Sequence, residues 1–293
     1  MSELSSMLNF RERWAIAFLA LMALGLSGCA TTANTPLTRA QMKTPIRVLV
    51  VQAPMAMDEA RLQAVLAPDI NLALPIFDER LQQGMKHAQE HALAAMESAL
   101  AGEPRLLITV PPTEEKQLID HIQGQGLGSA MTQEEADRLQ GVTGADLLLR
   151  FGITDYGLTP RSWRNGYIAF EVTSTLALAA VVAYSGSTAA KAAAGIYLAQ
   201  ETVEETAEAY AGFWAVDEVY RPVRIEAELI GLSPVTTLWK TSDTGFSDTS
   251  LSRLVRKVGA DERNRQLNQA TDEAVRKIAS DLSDTFEHRK PEP

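Results

Sequence analysis

The sequence is short of the residues on which several classes of function depend. One cysteine in 293 residues excludes a disulfide framework and any Cys-rich zinc or iron–sulfur site. Four histidines leave little material for a metal centre. Basic residues are outnumbered, 27 against 37 acidic, for a net charge of −10, which argues against a nucleic acid held on a broad basic face. What is present is an ordinary globular mixture, 46% hydrophobic and 22% charged, neither disordered nor collagenous. The single cysteine, Cys29, is the most informative residue of the chain because of what precedes it.

Arg11 and Arg13 close a polar start that also carries Glu3 and Glu12. An unbroken apolar run of thirteen residues follows, Trp14 to Leu26. As a helix it would span about 20 Å, short of a hydrocarbon core of about 30 Å, and it fits the apolar region of an export signal. The run ends in Leu26-Ser27-Gly28-Cys29, which resembles the lipobox of bacterial lipoproteins at all four positions. The resemblance implies cleavage between Gly28 and Cys29, a diacylglycerol on the Cys29 thiol and acylation of the new amino group. Two or more chains are what stable anchoring requires, since each buried methylene contributes about 0.8 kcal/mol. The resemblance also implies, from Ala30 rather than Asp after the cysteine, delivery to the outer membrane. The removed peptide 1–28 holds two Arg and two Glu, so the mature chain keeps the −10. Residues 29–44, small, polar and broken by Pro36, read as a lipidated flexible tether. The expected domain is then anchored in the outer membrane, facing the periplasm or the cell surface.

Residues 45–288 read as a single α/β domain, layered α+β, with a mixed sheet flanked by helices, and 289–293 as a tail. Arg47–Gln52 has the β-branched apolar character of a strand buried on both faces. A short helix is expected at 58–66. A long helix from Asp78 to Leu100 places Leu81, Met85, Ala88, Ala92, Ala95, Met96 and Ala99 on one stripe. Arg105–Val110 is a second buried strand, and a helix from Pro111 to Ile122 follows. Gly124-Gln-Gly126-Leu-Gly128 stops that helix. Thr132-Gln-Glu-Glu135 spells a capping box for a helix through Leu139. Leu147–Asp155 is a third strand. Val223–Ile230 alternates apolar and polar, Gly231–Val235 turns, and Thr236–Thr241 returns as a hairpin partner. A last helix, Asp261–His288, aligns Leu267, Val275, Ile278, Leu282 and Phe286.

Residues 163–215 interrupt this alternation as an Ala-rich helical insertion. Val172 to Ala190 are nineteen residues without a charge, whereas Glu201, Glu204, Glu205 and Glu208 make the later part acidic and amphipathic. Small residues supply little drive into a membrane but permit close helix–helix approach. Self-packing or contact within a homo-oligomer therefore ranks ahead of membrane insertion.

The order of these pieces resembles a group of periplasmic lipoprotein domains: the curli-secretion channel lipoprotein (CsgG-type), the peptidoglycan-synthase activator lipoproteins (LpoB-type) and the amino-terminal domain of TolB. It is carried by the opening strand and long helix, by Thr132–Leu149 with its Gly144-Ala-Asp146 entry to a strand, by the strand pair 223–241, and by the closing helix with Ala274–Leu282. The resemblance covers roughly 45–160 and 220–288. It implies an assembly accessory rather than an enzyme. CsgG-type channels insert β-hairpins where this chain has its Ala-rich segment, so the sequence departs from the pattern of a β-barrel pore.

Three patterns bear on chemistry. His87-Ala-Gln-Glu90-His91 spells the inverted zinc-protease motif, with two ligands on one helix face and Glu90 as base. Both histidines fall on the polar flank of the apolar stripe and no third ligand is found, so a solvated helix face is the reading and a zinc hydrolase the remote alternative. Gly124, Gly126 and Gly128 follow a helix, not a strand, which is the wrong context for a phosphate-cradling loop. Ser247 lacks the second glycine of a nucleophile elbow. Tyr156, Arg161, Trp163 and Tyr167 on one side of the insertion, and Phe213, Trp214, Tyr220 and Arg221 on the other, form an aromatic and arginine cluster. Such a cluster suits a partner-binding site or a seal between insertion and domain, and both readings stand. The sequence thus leads to a non-enzymatic assembly or scaffolding lipoprotein, with no metal or cofactor, membrane lipid held through Cys29 and an unnamed envelope protein as partner. A transport component whose 163–215 helices line or plug a pore is the alternative.

Overall fold

The computed structural model describes residues 45–57, 61–62, 65, 76–110, 115–167, 169, 212–248, 256 and 258–287. The signal, Cys29, the tether, most of the 163–215 insertion and the tail lie outside them. Nine principal elements follow in order: β1 (Ile46–Gln52), α1 (Ile76–Ala101), β2 (Leu106–Thr109), α2 (Lys116–Gly124), α3 (Gln133–Thr143), β3 (Leu147–Tyr156), β4 (Val223–Leu232), β5 (Val235–Gly245) and α4 (Ala260–Glu287). The α/β layered architecture expected from the sequence is the one observed.

The five strands form one sheet in the order β2-β1-β3-β4-β5. β1 runs parallel to β2 and β3, while β3–β4 and β4–β5 are antiparallel. Parallel strands need long crossovers and end up covered on both faces. That is why β1 and β3 are apolar runs rather than alternating ones. Val48 and Val50 of β1, with Leu147, Leu149, Phe151 and Ile153 of β3, join a core formed with α1 and α4. Leu49, Val51 and Leu148 face the other way, onto Leu118, Ile119 and Ile122 of α2 and Ala136 and Leu139 of α3. Helices thus sandwich the sheet. Burial of each large apolar side chain here stabilises the fold by about 1.5–3 kcal/mol.

α1 and α4 meet through small residues. Ala88, Ala92, Ala270 and Ala274 are fully or almost fully buried, letting the two helices and the sheet approach closely. Longer side chains, Met96, Leu100, Leu267, Ile278 and Leu282, fill the space at either end.

The boundaries differ from the sequence expectation where tertiary ties outweigh local propensity. β5 runs to Gly245, four residues past the expected end, although Asp243 is a poor strand former. Lys277 of α4 holds this stretch, donating to the Thr244 carbonyl at 2.8 Å and lying 3.8 Å from Asp243. The β4–β5 turn is also tighter than expected, being reduced to Ser233-Pro234 between strands that reach Leu232 and start at Val235. α3 continues to Thr143 and stops at Gly144, whose φ of 66° is the left-handed conformation in which glycine carries no Cβ penalty.

The capping box of α3 is complete. The Glu135 amide donates to Thr132 Oγ1 at 3.2 Å, and the Thr132 amide donates to Glu135 Oε2 at 2.8 Å. The Thr132 amide and hydroxyl, aided by His121 and Gln125, hold the Glu135 carboxyl down at about 2. A carboxyl depressed in the folded state stabilises it above the unfolded value of 4.5, and that stabilisation is lost as the pH falls from there toward 2. Thr132→Ala should lower the unfolding free energy by about 1 kcal/mol at neutral pH. Urea unfolding at pH 7 and pH 3 should show the difference between wild type and variant shrinking in acid. An undiminished difference would mean that the box is not ionic.

Candidate functional site

The aromatic and arginine cluster lies where β3 ends and β4 begins. Two helical stretches, 161–167 and 212–220, flank the insertion, and with their connections to the sheet they make a stem of residues 157–167 and 212–222. The stem closes on itself: the Gly157 amide donates to the Pro222 carbonyl at 2.8 Å, continuing the β3–β4 pairing by one bond.

Above that closure the stem is clamped around Thr159. The Asp217 carboxylate accepts from the Thr159 amide at 2.5 Å and hydroxyl at 2.6 Å, and from Arg164 Nη2 at 2.5 Å. The Thr159 carbonyl accepts from Arg164 Nε and Arg61 Nη2, each at 3.2 Å. Arg61 also reaches Asp155 Oδ1 at 2.9 Å, and the same oxygen accepts the Arg161 amide at 3.3 Å. Burial pushes both carboxyls above the ordinary aspartate range, against the pull of Arg61 and the Arg161 amide on Asp155, and of Thr159 and Arg164 on Asp217. Two arginines and two aspartates balance in charge, as burial of such groups demands.

The aromatics complete the joint. Tyr167 meets Phe213 edge-on at 5.7 Å, and Arg164 lies over the Phe213 ring at 5.3 Å. Trp163 and Tyr220 each pack on Phe246, at 6.2 Å and 5.9 Å. Phe246 follows β5 directly and is fastened to α4: its amide donates to Glu273 Oε2 at 2.7 Å, and Lys277 lies 5.6 Å from its ring centre. Phe246 is therefore the keystone between stem and domain.

Of the eight residues proposed from sequence, Trp163, Tyr167, Phe213 and Tyr220 enter these ring contacts. Arg161 is exposed and joins the clamp through its backbone. Trp214 stands 54% exposed. Tyr156 and Arg221 are buried and leave the surface set: Tyr156 belongs to the main core, where burial pushes its phenol up, and Arg221 pairs with Glu218 at 2.6 Å. The residues that sequence reasoning missed are Thr159, Arg164, Asp217 and Phe246. Arg164 lies between two residues that were named, and a charge on a helix reads by default as solvated.

The glycine-rich stretch serves an internal carboxylate. The Gly128 amide donates to Glu228 Oε1 of β4 at 3.0 Å. Arg150 of β3, with no exposure, donates to the same oxygen at 2.7 Å and to Gln125 Oε1 at 3.1 Å. Lys240 of β5 completes the set, 3.1 Å from Glu228 Oε2. Burial alone would raise the Glu228 carboxyl; the Gly128 amide and the two cations outweigh it and hold the group below its usual range.

The histidine motif is divided. His91 Nε2 lies 2.9 Å from Asp272 Oδ1 on α4, Glu90 pairs with Lys86, and His87 is exposed. Among the described residues no group of three or more His, Cys, Asp or Glu could hold a metal ion, and no helix is long and apolar enough to cross a membrane.

No sequence-family model matches the chain, and no curated protein matches it in sequence. Solved structures do resemble it. The PelC dodecamer of Paraburkholderia phytofirmans is 11% identical, over 87% of this chain and 97% of that one, with a TM-score of 0.33. The hypothetical protein CT253 of Chlamydia trachomatis is 9% identical, over 82% and 96%, with a TM-score of 0.38. Lipoprotein GNA1162 of Neisseria meningitidis is 10% identical, over 83% and 99%, with a TM-score of 0.34.

Proposed function

We infer that the chain is a lipid-anchored envelope protein of the outer membrane, facing the periplasm, that acts without catalysis as an assembly or scaffolding factor. The observation that carries this reading is Leu26-Ser27-Gly28-Cys29 after a thirteen-residue apolar run, with no other cysteine in the chain. The state of the polar groups in the domain supports it. The Asp155 and Asp217 carboxylates, the Thr159 hydroxyl and the His91 ring are each engaged by a partner from another part of the fold. A nucleophile or general base would need to face a place for substrate; these groups hold the stem and the helices together. In this reading the stem is a mount that presents the 163–215 region and the exposed Trp214 to an envelope protein.

The test is metabolic labelling with palmitate together with membrane fractionation. The wild-type chain should take up label and sediment with membranes, and Cys29→Ala should do neither. A Cys29→Ala protein that is still labelled and still membrane-bound would sink the anchor. Native mass in mild detergent tests the pore-lining alternative: a large ring would favour it, and a monomer after removal of the lipid would sink it.

A further inference from the structure

The two edges of the sheet are guarded differently. β5 closes one side with Lys240 and Asp243 in the strand, and its pairing with β4 is interrupted by a register shift at Leu229/Ile230. Charges and bulges of this kind keep an edge from pairing with another chain. β2 closes the other side with neither. Leu106-Leu-Ile-Thr109 and the Val110 that follows carry no charge, and the register with β1 is unbroken. Two of the three large apolar side chains exposed among the described residues stand at this edge, Leu107 at 48% and Val110 at 83%.

The backbone of that edge is self-complementary. The Ile46 amide donates to the Arg105 carbonyl at 2.8 Å, and Arg47 pairs with Leu107. The odd-numbered residues of β2 therefore bond to β1, and the even-numbered ones turn their backbone groups outward. The Leu106 amide is taken up by the Glu103 carbonyl at 3.1 Å. What remains along the edge is the Leu106 carbonyl, the Ile108 amide and carbonyl, and the Val110 amide. We propose that β2 pairs antiparallel with β2 of a second copy of this chain, about a two-fold axis through Ile108. Ile108 exchanges both its hydrogen bonds with Ile108 of the other copy, and the Val110 amide of each donates to the Leu106 carbonyl of the other. Leu107 of one copy stands opposite Thr109 of the other, and no charge faces a like charge within the pairing. The two sheets become one, and the contact closes after two copies without forming a ring. The stem leaves from β3 and β4, away from this edge, so one dimer presents two free stems.

Disulfide trapping tests both the partner and the register. The full chain carrying Cys29→Ala has no cysteine of its own, so the result does not depend on the lipid anchor. Leu107→Cys and Thr109→Cys are introduced into it singly, and each protein is purified in mild detergent. Opposed residues that share no hydrogen bonds have Cα atoms about 4.5 Å apart, within reach of a disulfide. Position 107 and its own copy are diagonal neighbours at about 7–8 Å, beyond that reach. Mild oxidation of the two proteins mixed should therefore yield several-fold more disulfide dimer than either protein alone. The wild-type chain should show twice the mass of one chain in native mass measurements. Leu107→Lys, which puts a charge at an exposed position of the edge, should halve that mass and leave thermal unfolding unchanged. Equal cross-linking in mixed and separate samples would overturn the pairing, as would a dimer that survives Leu107→Lys or a wild type that stays monomeric. A different protein that co-purifies and covers position 107 would claim the edge for itself and overturn the second copy as its occupant.

Discussion

Glu228→Leu should destabilise the protein by about 3–5 kcal/mol, because it leaves the guanidinium of Arg150 buried without a counter-charge. Arg150 has no exposed surface, and its other partners, the Gln125 side chain and the Ser129 carbonyl, are neutral. The reverse truncation is milder. In Arg150→Met the Glu228 carboxylate keeps the Gly128 amide and Lys240, and Lys240 is half in water. That variant should cost about 1–3 kcal/mol, the price of leaving Gln125 and the Ser129 carbonyl unpaired. The double variant should be more stable than Glu228→Leu alone by about 1–3 kcal/mol, since neighbours in one network do not add. Urea unfolding of the four proteins decides the matter. Equal losses in the two single variants would show that water reaches Arg150.

Gly245→Ala should be the most damaging of the glycine substitutions, lowering stability by about 3 kcal/mol or more through overpacking. A Cβ there would overlap the Ala270 carbonyl and the Ala274 amide of α4. These are backbone atoms of a helix that also packs against α1, so no rotamer change relieves the clash. The helix must slide, and Phe246, Glu273 and Lys277 would be displaced with it, loosening the keystone of the stem. Gly141→Ala is the internal control. It lies inside α3 with open space where its Cβ would stand, and should gain about 0.5–1 kcal/mol from helix propensity. Thermal unfolding of both should move in opposite directions. A Gly245→Ala protein as stable as wild type would mean that α4 packs more loosely on β5 than described.

What could be read from the sequence is what depends on near neighbours. Thr132 and Glu135 satisfy one another across a single turn, so the capping box was visible as a spelling. The apolar runs of β1 and β3, and the stripe of Leu267, Val275, Ile278 and Leu282 on α4, follow from period alone. The signals that failed depend on partners far along the chain. Arg150 interrupts a buried strand and is explained only by Glu228, 78 residues later. Glu228 itself falls on the polar phase of β4, like Glu226. Glu226 is 43% exposed and Glu228 only 4%, because the 124–129 loop folds over one and not the other. Thr159 and Asp217 are 58 residues apart, and neither residue type signals a clamp. Gly245 sits in a polar strand end, where nothing local shows that a helix backbone will press on it.

The hydrogen bond from Gly157 to Pro222 has a consequence for the entropy of the chain. It makes everything between those two residues the loop of a hairpin, with both ends already held in register by β3 and β4. The cost of closing such a loop grows only with the logarithm of its length, about 0.6 kcal/mol for each doubling. Most of the cost of gathering the chain here is therefore independent of what the loop contains. A change in the number of residues between the two ends of the stem should therefore shift the stability of the sheet beneath by only a fraction of a kcal/mol, comparable to the ~0.6 kcal/mol that a doubling costs.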